Sequence, residues 1–284
     1  TASPGASGCH VDTIGDDAHR TRQRLVVQAL TNAIHLLVQR IFNSGHYKVS
    51  CESTSASCLT MRDNSDARRM GEEFIACGAQ ERTIFACMSS TEHQEVLDAA
   101  LTLIHSRQHI SPKRLGDPGP DPEQIEKILS AAGAAPDHGQ LTPWRLVIIP
   151  PERRHLLAEA FAGALVERDF DASEEQKEEA REKAYRGPFL VMVIARLDPA
   201  LGTAHPQERL ISAGCAVQNM LLAAHAMSFG AGLSSGRALY SQRIRQLFGL
   251  AADEQPLCCM TVGTVTRHKS TRVRPTMADY TSTL

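Results

Sequence analysis

The chain lacks the sequence motifs from which an activity is most often inferred. It has neither of the glycine-rich nucleotide fingerprints, GxGxxG and GxxxxGKS/T, and its 12 histidines include no HExxH pair. No apolar run approaches the roughly 20 residues that a membrane span requires. These absences exclude a motif-based assignment to dinucleotide-binding, P-loop or zinc-protease classes. If the chain is an enzyme, its chemistry is therefore expected to belong to a cofactor.

The chain is also poor in paired cysteines and in net charge. None of its eight cysteines forms a CxxC pair, and the spacing of Cys51 and Cys58 is not typical of a metal site. Five cysteines precede residue 90, so the sequence leaves open whether two of them form a disulfide. The rest of the chain is typical of a reduced, cytosolic protein. A net charge of −2 and a pI near 6.6 create no field that attracts nucleic acid or acidic lipid. We expect a cytoplasmic protein without a metal site and without nucleic-acid or membrane partners.

The first 90 residues show little periodicity. Residues 1–20 are rich in Gly, Ser and Asp and are predicted to be disordered, whereas residues 22–42 carry one apolar helical stripe. The chain begins at Thr1 rather than Met, as expected of a fragment or of a chain that has lost a leader. We predict two regions: an N-terminal extension over 1–90, partly disordered and of unknown function, and a folded domain over 91–284.

Helices and strands are predicted to alternate from residue 91 onward. In "PDPEQIEKILSAAG", Asp121 is the predicted N-cap, Pro122 takes the first helical position and Gln124 the third. Thr91 and Gln94 have the same capping spacing at the start of an earlier helix. The remaining predicted elements are strands at 145–150, 189–197 and 256–265 and helices at 151–166, 173–185, 207–228 and about 240–248. This order predicts an α+β or α/β fold in which helices cover a small sheet.

Two basic segments follow predicted elements. The first is "SRQHISPKR" (106–114) and the second is "RHKSTRVR" (267–274); neither contains an acidic residue. Either one alone is typical of an exposed charged surface. Together, at the ends of elements, they are also suited to converge on one phosphate, for which arginine offers a rigid fork of donors. Both interpretations stay open from the residues alone.

Three further segments are candidates to line a site. The polar loop 136–143 leads into Trp144, the only tryptophan, which either fills the core or anchors that loop. The stretch "GAGLSSG" (230–236) is either a flexible turn or a close approach of backbone to a flat ligand. The helix at 207–228 is apolar almost all round, so it is expected to be buried on every side, as a core helix or at a subunit interface.

In this order, the segments resemble the FMN-dependent nitroreductase family over about residues 95–284. "APDHGQLTPWRL" is similar to the family's "APS…N.QPW.F" loop, and "SAGCAVQNMLLAAHAMSFGAG" is similar to its long central helix, the most specific match. Arg107-Gln108-His109 resembles the family's starting motif, and Gly263-Thr264 with its basic tail resembles the family's strand end. The resemblance implies an α+β fold of three layers, with a small mixed sheet covered by helices. It also implies a homodimer that encloses two FMN molecules in its interface.

The resemblance further implies which residues contact the cofactor. The FMN phosphate or ribityl chain is expected to lie against Arg107, Gln108 and His109, with Lys269 or Arg267 closing on the phosphate. The flavin is expected near loop residues Asp137, His138, Gln140 and Thr142 and near Leu233, Ser234 and Gly236 of the partner subunit. Several of these positions depart from the family pattern: Gln140 replaces a common Asn, Thr142 a common Gln and His109 a common Ser. The ring contacts are therefore less directly implied than the fold.

The leading functional hypothesis is an FMN-dependent oxidoreductase of the nitroreductase type that works by a ping-pong mechanism. NADH or NADPH would reduce the flavin, and a small-molecule acceptor such as a nitroaromatic or a quinone would then reoxidise it, with no catalytic side chain required. Two alternatives stay open. The first is an oxidative flavin enzyme that does not use NAD(P)H, and the second is a flavin-binding protein without catalysis.

Overall fold

The computed structural model of the chain describes residues 90–198, 204–268, 270 and 273–284. The chain divides into two units, with the division between His105 and Ser106. The predictions for residues 1–20 and 22–42 lie outside the described residues, and the domain boundary near residue 90 stays a prediction.

Helix α1 (Ser90–Ser106) belongs mainly to the first unit. The predicted helix is confirmed, but the predicted cap is wrong, because Thr91 already lies inside the helix. The side chain of Gln94 donates a hydrogen bond to Asp98 at 2.8 Å, one turn further along, instead of returning to a cap.

The described part of the second unit alternates helices and strands, as predicted. Its elements are β1 (Leu115–Gly116), α2 (Pro122–Ser130), β2 (Trp144–Ile148), α3 (Arg154–Arg168), α4 (Glu174–Glu182), β3 (Phe189–Arg196), α5 (Pro206–Ala226), β4 (Gly230–Ser234), α6 (Gln242–Leu247) and β5 (Glu254–Val265). None of the helices in the described ranges is long and apolar enough to cross a membrane.

Side-chain caps fix where these helices begin. The carboxylate of Asp121 accepts from the backbone N–H of Gln124 at 2.8 Å, and the Gln124 side chain accepts from the backbone N–H of Asp121 at 2.9 Å. The predicted capping box is therefore confirmed. Ser173 and Gln176 form a second box at the start of α4. Each box satisfies backbone donors that a helix leaves unpaired at its first turn.

The sheet has the strand order β1-β5-β3-β2, and β4 also pairs with β5. The long strand β5 pairs with β3 from Phe189↔Val262 to Arg196↔Glu254, and β2 pairs with the other side of β3. All four of these strand pairings are antiparallel. The expected mixed sheet is corrected in this respect: within the described ranges, parallel pairing is limited to a single bridge between His109 and Ala231.

Helices cover both faces of the sheet, and this confirms the predicted α+β class with three layers. Alternate residues of β3 point to opposite faces, as the pleat requires. Val191 and Val193 pack with α2 and α5 in one core, and Met192 and Ile194 pack with α3 and α6 in the other. Because both faces of the sheet are buried at β3, the sequence of this strand is a continuous apolar run.

Within the described part of one chain, helix α5 is not buried on every side, so the expectation of a subunit interface on this helix stays a prediction. Ala213, Met220 and Ala224 are fully buried, but Ile211 on another side of the helix is 66% exposed. Gly214 is also exposed, with no atom within 4 Å of the position of a Cβ. The residues that the structure describes therefore leave one apolar side of α5 uncovered.

Candidate active site

The two basic segments meet in the folded chain. The backbone N–H and the hydroxyl of Thr266 both donate to the carbonyl oxygen of Arg114, at 2.9 and 3.0 Å. The Arg114 guanidinium donates to the carbonyl oxygen of His268 at 3.3 Å. Further on, Arg274 donates to the carbonyl oxygen of Arg107 at 2.5 Å. Of the two interpretations that the sequence left open, convergence is the one that the structure supports.

Two guanidinium groups come close together where these segments meet. Burial, and secondly the positive charge of Arg274, lower the pKa of Arg107. No ion pair joins Arg107 to a carboxylate within the described part of the chain. An anion placed here would offset both the desolvation and the repulsion, since arginine binds phosphate oxygens through paired donors. The residues therefore fit a phosphate group.

Of the other residues predicted to hold the phosphate, the structure describes Arg267 and Gln108 but not Lys269. Arg267 is exposed and lies between Thr266 and His268, which both bond to Arg114. Gln108 is half-buried beside Arg107. Lys269, predicted to close on the phosphate, lies outside the described residues.

The segment after Arg107 joins strand β4. The backbone N–H of Ile110 donates to the carbonyl oxygen of Ala231 at 3.0 Å, and the backbone N–H of Leu233 donates to Nδ1 of His109 at 3.4 Å. Leu233, Ser234 and Gly236 were expected to reach the flavin from a partner subunit, and this expectation stays a prediction. Because β4 is paired with the His109 segment, these residues adjoin the His109 of their own chain.

The stretch "GAGLSSG" is not a flexible turn. Its first five residues form β4 and pair with β5 from Gly230↔Gly263 to Ser234↔Cys259. Residues 232–236 also have the GxSxG spacing of a nucleophile elbow. However, Ser234 lies within the strand, and its hydroxyl reaches the carbonyl oxygen of Cys259 at 3.5 Å. No acidic residue that would complete a catalytic triad appears among the described residues around it.

A cavity of about 690 Å³ opens beside His109. One end is formed by His109, Ser111 and Pro112 together with residues 233–236. Leu157, Phe161 and Leu165 of α3 form a side wall, and the sheet contributes Leu190, Cys259 and Thr261. The volume falls in the range typical of small-molecule sites, about 300–1,000 Å³. Four of the predicted site residues thus meet at one cavity: His109, Leu233, Ser234 and Gly236.

The polar loop before Trp144 lies elsewhere in the same chain. Its residues Asp137, His138, Gln140 and Thr142 are not among those lining the cavity. His138 instead contacts Glu208 in the first turn of α5, with Nδ1 and Oε2 2.7 Å apart, and this hydrogen bond lowers the pKa of Glu208. The structure therefore divides the predicted site residues into two groups within one chain.

The loop has an unusual backbone. Gln140 and Thr142 have φ of 55° and 44°, in the left-handed region that side chains other than glycine rarely adopt. Asp137 holds this conformation, because its carboxylate accepts from the backbone N–H of Thr142 at 2.6 Å. Its second oxygen, Oδ1, is buried and has no hydrogen-bond partner. Strain of this kind persists where surrounding structure enforces it, often at ligand-binding positions.

Trp144 anchors the end of that loop, as predicted. It is the first residue of β2, pairs with Ala195 and is buried in the core that β3 shares with α2 and α5. The preceding carbonyl, of Pro143, accepts from the backbone N–H of Arg196 at 3.0 Å. Loss of the indole would therefore release both the core contact and the loop end.

Thiol chemistry is not expected of the described part of the site, although Cys259 lines the cavity. No group of three or more metal-binding side chains occurs among the residues that the structure describes. Cys258 and Cys259 are free thiols in β5. Burial raises the pKa of Cys258 to about 11 and that of Cys259 to about 12, so neither is a reactive thiolate at neutral pH.

Four further cations line the cavity, and no motif in the sequence indicated them. They are Arg168, Lys183, Arg186 and Arg237. They come from the end of α3, from the turns after α4 and from the turn after β4, so no single sequence segment signals them. Only the packing of these elements brings the four side chains to one cavity.

Comparisons with known proteins agree with the geometry. The model of the nitroreductase family matches residues 107–264. A Haemophilus influenzae protein named "Putative NAD(P)H nitroreductase" is 35% identical over 165 residues, which cover 58% of this chain and 88% of the relative. "Putative NAD(P)H nitroreductase YdjA" of Escherichia coli K12 is 32% identical over 179 residues, which cover 62% and 93%. The crystal structure of a nitroreductase-like family protein from Bacillus cereus superposes with a TM-score of 0.56 at 18% identity, covering 65% of this chain and 95% of that one.

Proposed function

The chain belongs to the nitroreductase family, and we propose that it is a homodimeric, FMN-dependent oxidoreductase that uses NADH or NADPH. Its acceptor is a small molecule such as a nitroaromatic or a quinone. The observation that carries the proposal is the meeting of Arg107 and Arg274 next to the cavity beside His109. A pair of cations next to a cavity of this size suits a cofactor with a phosphate tail and a flat ring.

The FMN phosphate would be held by Arg107, with Gln108, His109 and Lys269 or Arg267 around the phosphate and the ribityl chain. Leu233, Ser234 and Gly236 would lie along the ring. When bound, FMN supplies the redox chemistry: NAD(P)H and one proton reduce a quinone to a hydroquinone, or a nitro group to a nitroso group and water. The protein binds and orients the two substrates and supplies no nucleophile.

The loop residues Asp137, His138, Gln140 and Thr142 would reach the same flavin from the partner subunit. This assignment follows from their separation from the cavity in their own chain. The open side of α5 supports a dimer, because Ile211 is 66% exposed and Gly214 permits close approach of a second helix. His138 contacts α5 directly, so a dimer built on this helix would bring the loop to the interface.

An absorption spectrum of the purified protein tests the proposal. We expect flavin bands, released FMN after denaturation, and bleaching of the bands when NADH or NADPH is added without oxygen. Addition of 1,4-benzoquinone should restore the bands. Steady-state rates at several fixed acceptor concentrations should give parallel double-reciprocal plots, as a ping-pong mechanism requires. A flavin that resists both nicotinamides would favour the oxidative alternative, and a protein that does not bind FMN would refute the proposal.

A further inference from the structure

The cavity beside His109 has a cationic wall that is separate from the phosphate-binding segments. Arg168, Lys183, Arg186 and Arg237 line it, and no Asp or Glu lines it in the described part of the chain. The whole chain, in contrast, carries slightly more acidic than basic residues, 32 against 30. The excess of positive charge is therefore a local property of this cavity.

Neighbouring carboxylates do not neutralise this wall. On α3 and α4, Glu159 and Glu178 pair with Arg181, at 2.9 and 3.3 Å, and Glu167 pairs with Arg243 at 2.7 Å. Both of these arginines lie outside the cavity lining. Within the described ranges, none of the four cavity cations forms an ion pair.

Arg186 has the least satisfied of these side chains. Its Nη2 atom is buried and has no hydrogen-bond partner in the chain. The carbonyl oxygens that follow it in sequence, of Gly187 and Pro188, are already bonded by Arg154, at 2.5 and 2.7 Å. Arg186 also lines the cavity, so an anion bound there would give its guanidinium an acceptor.

The cavity lining also has an apolar part. Leu157, Phe161 and Leu165 stand four residues apart along α3, so they share one face of the helix, and all three line the cavity. Apolar side chains beside several cations suit a ligand that combines an aromatic ring with an anionic group.

We infer that the cavity selects an aromatic acceptor that carries a carboxylate, and that Arg186 is the residue that selects it. The inference rests on the proposed function and assigns the class of acceptor. The cavity requires an anionic group on a planar ligand. Besides the carboxylate of an acceptor, the 2′-phosphate of NADPH and the phosphate of FMN could supply that group. Arg186, which belongs to neither basic segment, is the specificity residue of this cavity.

The test compares two acceptors of nearly equal size, 4-nitrobenzoate and the neutral 4-nitrobenzyl alcohol. For the wild-type holoenzyme we expect a lower KM for the carboxylate. R186Q should raise the KM for 4-nitrobenzoate about 10-fold or more relative to the KM for the alcohol, because one charge-assisted hydrogen bond is lost. R186K should recover part of the preference. R181Q is the matched control, because Arg181 is paired outside the cavity, and its KM ratio should equal that of the wild type.

Two further arms separate the other sources of the anion. In the first, R186Q changes the preference for NADPH over NADH but leaves the KM ratio of the two acceptors unchanged. This result would overturn the inference in favour of the 2′-phosphate. Loss of FMN from R186Q would overturn it in favour of the cofactor phosphate.

Calorimetry with 4-nitrobenzoate alone gives a readout that does not depend on turnover. We expect binding to the wild-type protein and binding at least 10-fold weaker to R186Q. If the protein binds 4-nitrobenzoate in this way but is not reduced by NADH or NADPH, the proposed function fails and the anion site stands. If it reduces both acceptors with equal KM and R186Q changes neither the ratio nor the calorimetric affinity, the inference fails and the proposed function stands.

Discussion

A Cβ atom added to Gly232 would stand 1.9 Å from the carbonyl oxygen of Ile110. The two backbones therefore approach so closely that only glycine fits between them. This contact holds the His109 segment against β4 and so joins the proposed phosphate site to the cavity.

Replacement of Gly232 by alanine is expected to lower the free energy of unfolding by about 1–3 kcal/mol or more, because backbone atoms must move to admit the methyl group. It should also weaken FMN binding by displacing His109. G133A is the matched control, since no atom lies within 4 Å of the corresponding position and φ there is not in the left-handed region. Urea unfolding of both variants measures the difference; equal stabilities would show that the strand moves without cost.

The charge on Arg107 is expected to be needed for cofactor retention. Loss of one charge-assisted contact to phosphate costs about 1.5–3 kcal/mol, so R107Q should weaken FMN binding roughly 10- to 150-fold. Fluorescence titration of the apoprotein with FMN measures the affinity. R153Q removes an exposed arginine at the start of α3 and should leave it unchanged. An unaltered affinity in R107Q would remove Arg107 from the site.

Much of the fold could be predicted because its signals are local. The capping box between Asp121 and Gln124 depends on four consecutive residues, and the continuous apolar sequence of β3 indicates burial on both faces of the sheet. Strand β4 was missed for the opposite reason. Its glycines and serines have little strand propensity, and it exists because β5 and Ile110 pair with its backbone.

The candidate site was predicted in the same uneven way. The basic segments are each contiguous, so the sequence identified Arg107 and Arg267, but it left open whether the two segments converge. The contact of Leu233 with His109 of its own chain could not be predicted from the sequence, because it depends on which strand lies beside His109. Arg186 has no motif around it, and its buried, unpartnered nitrogen is a property of tertiary packing alone.

The ion pair between Arg145 and Glu254 is expected to make stability depend on pH. Both carboxylate oxygens accept from the guanidinium, at 2.8 and 2.7 Å, and this hydrogen bonding lowers the pKa of the buried Glu254. A lowered folded-state pKa adds stability above the unfolded value of about 4.3 and loses it as pH falls through the folded value. E254Q should therefore be less stable at pH 7, by about 1–3 kcal/mol, and the difference should shrink below about pH 4.

Chemical unfolding of E254Q and the wild type between pH 3 and pH 7 checks this expectation. E123Q provides the control, because the pair of Glu123 with Lys127 is exposed at a helix surface and should contribute little to stability. A stability difference for E254Q that stays constant over the whole range would contradict the linkage.

The uncovered side of α5 is expected to be the subunit contact, and Ile211 offers the sharpest test of it. A charge at a packed helix interface is buried without a partner, so I211E should convert the dimer into a monomer. Asp137 and Thr142 are proposed to reach the flavin of the other subunit. The monomer should therefore also lose FMN, although Arg107 and the other residues proposed to hold the phosphate are unchanged. Light scattering after gel filtration gives the mass, and the flavin absorbance of the same peak gives the occupancy. F170E alters a side chain that is 90% exposed on the turn after α3 and should change neither quantity. A monomeric I211E that keeps its flavin would show that one chain holds the cofactor alone, and the loop before Trp144 would then need another explanation for its strained backbone.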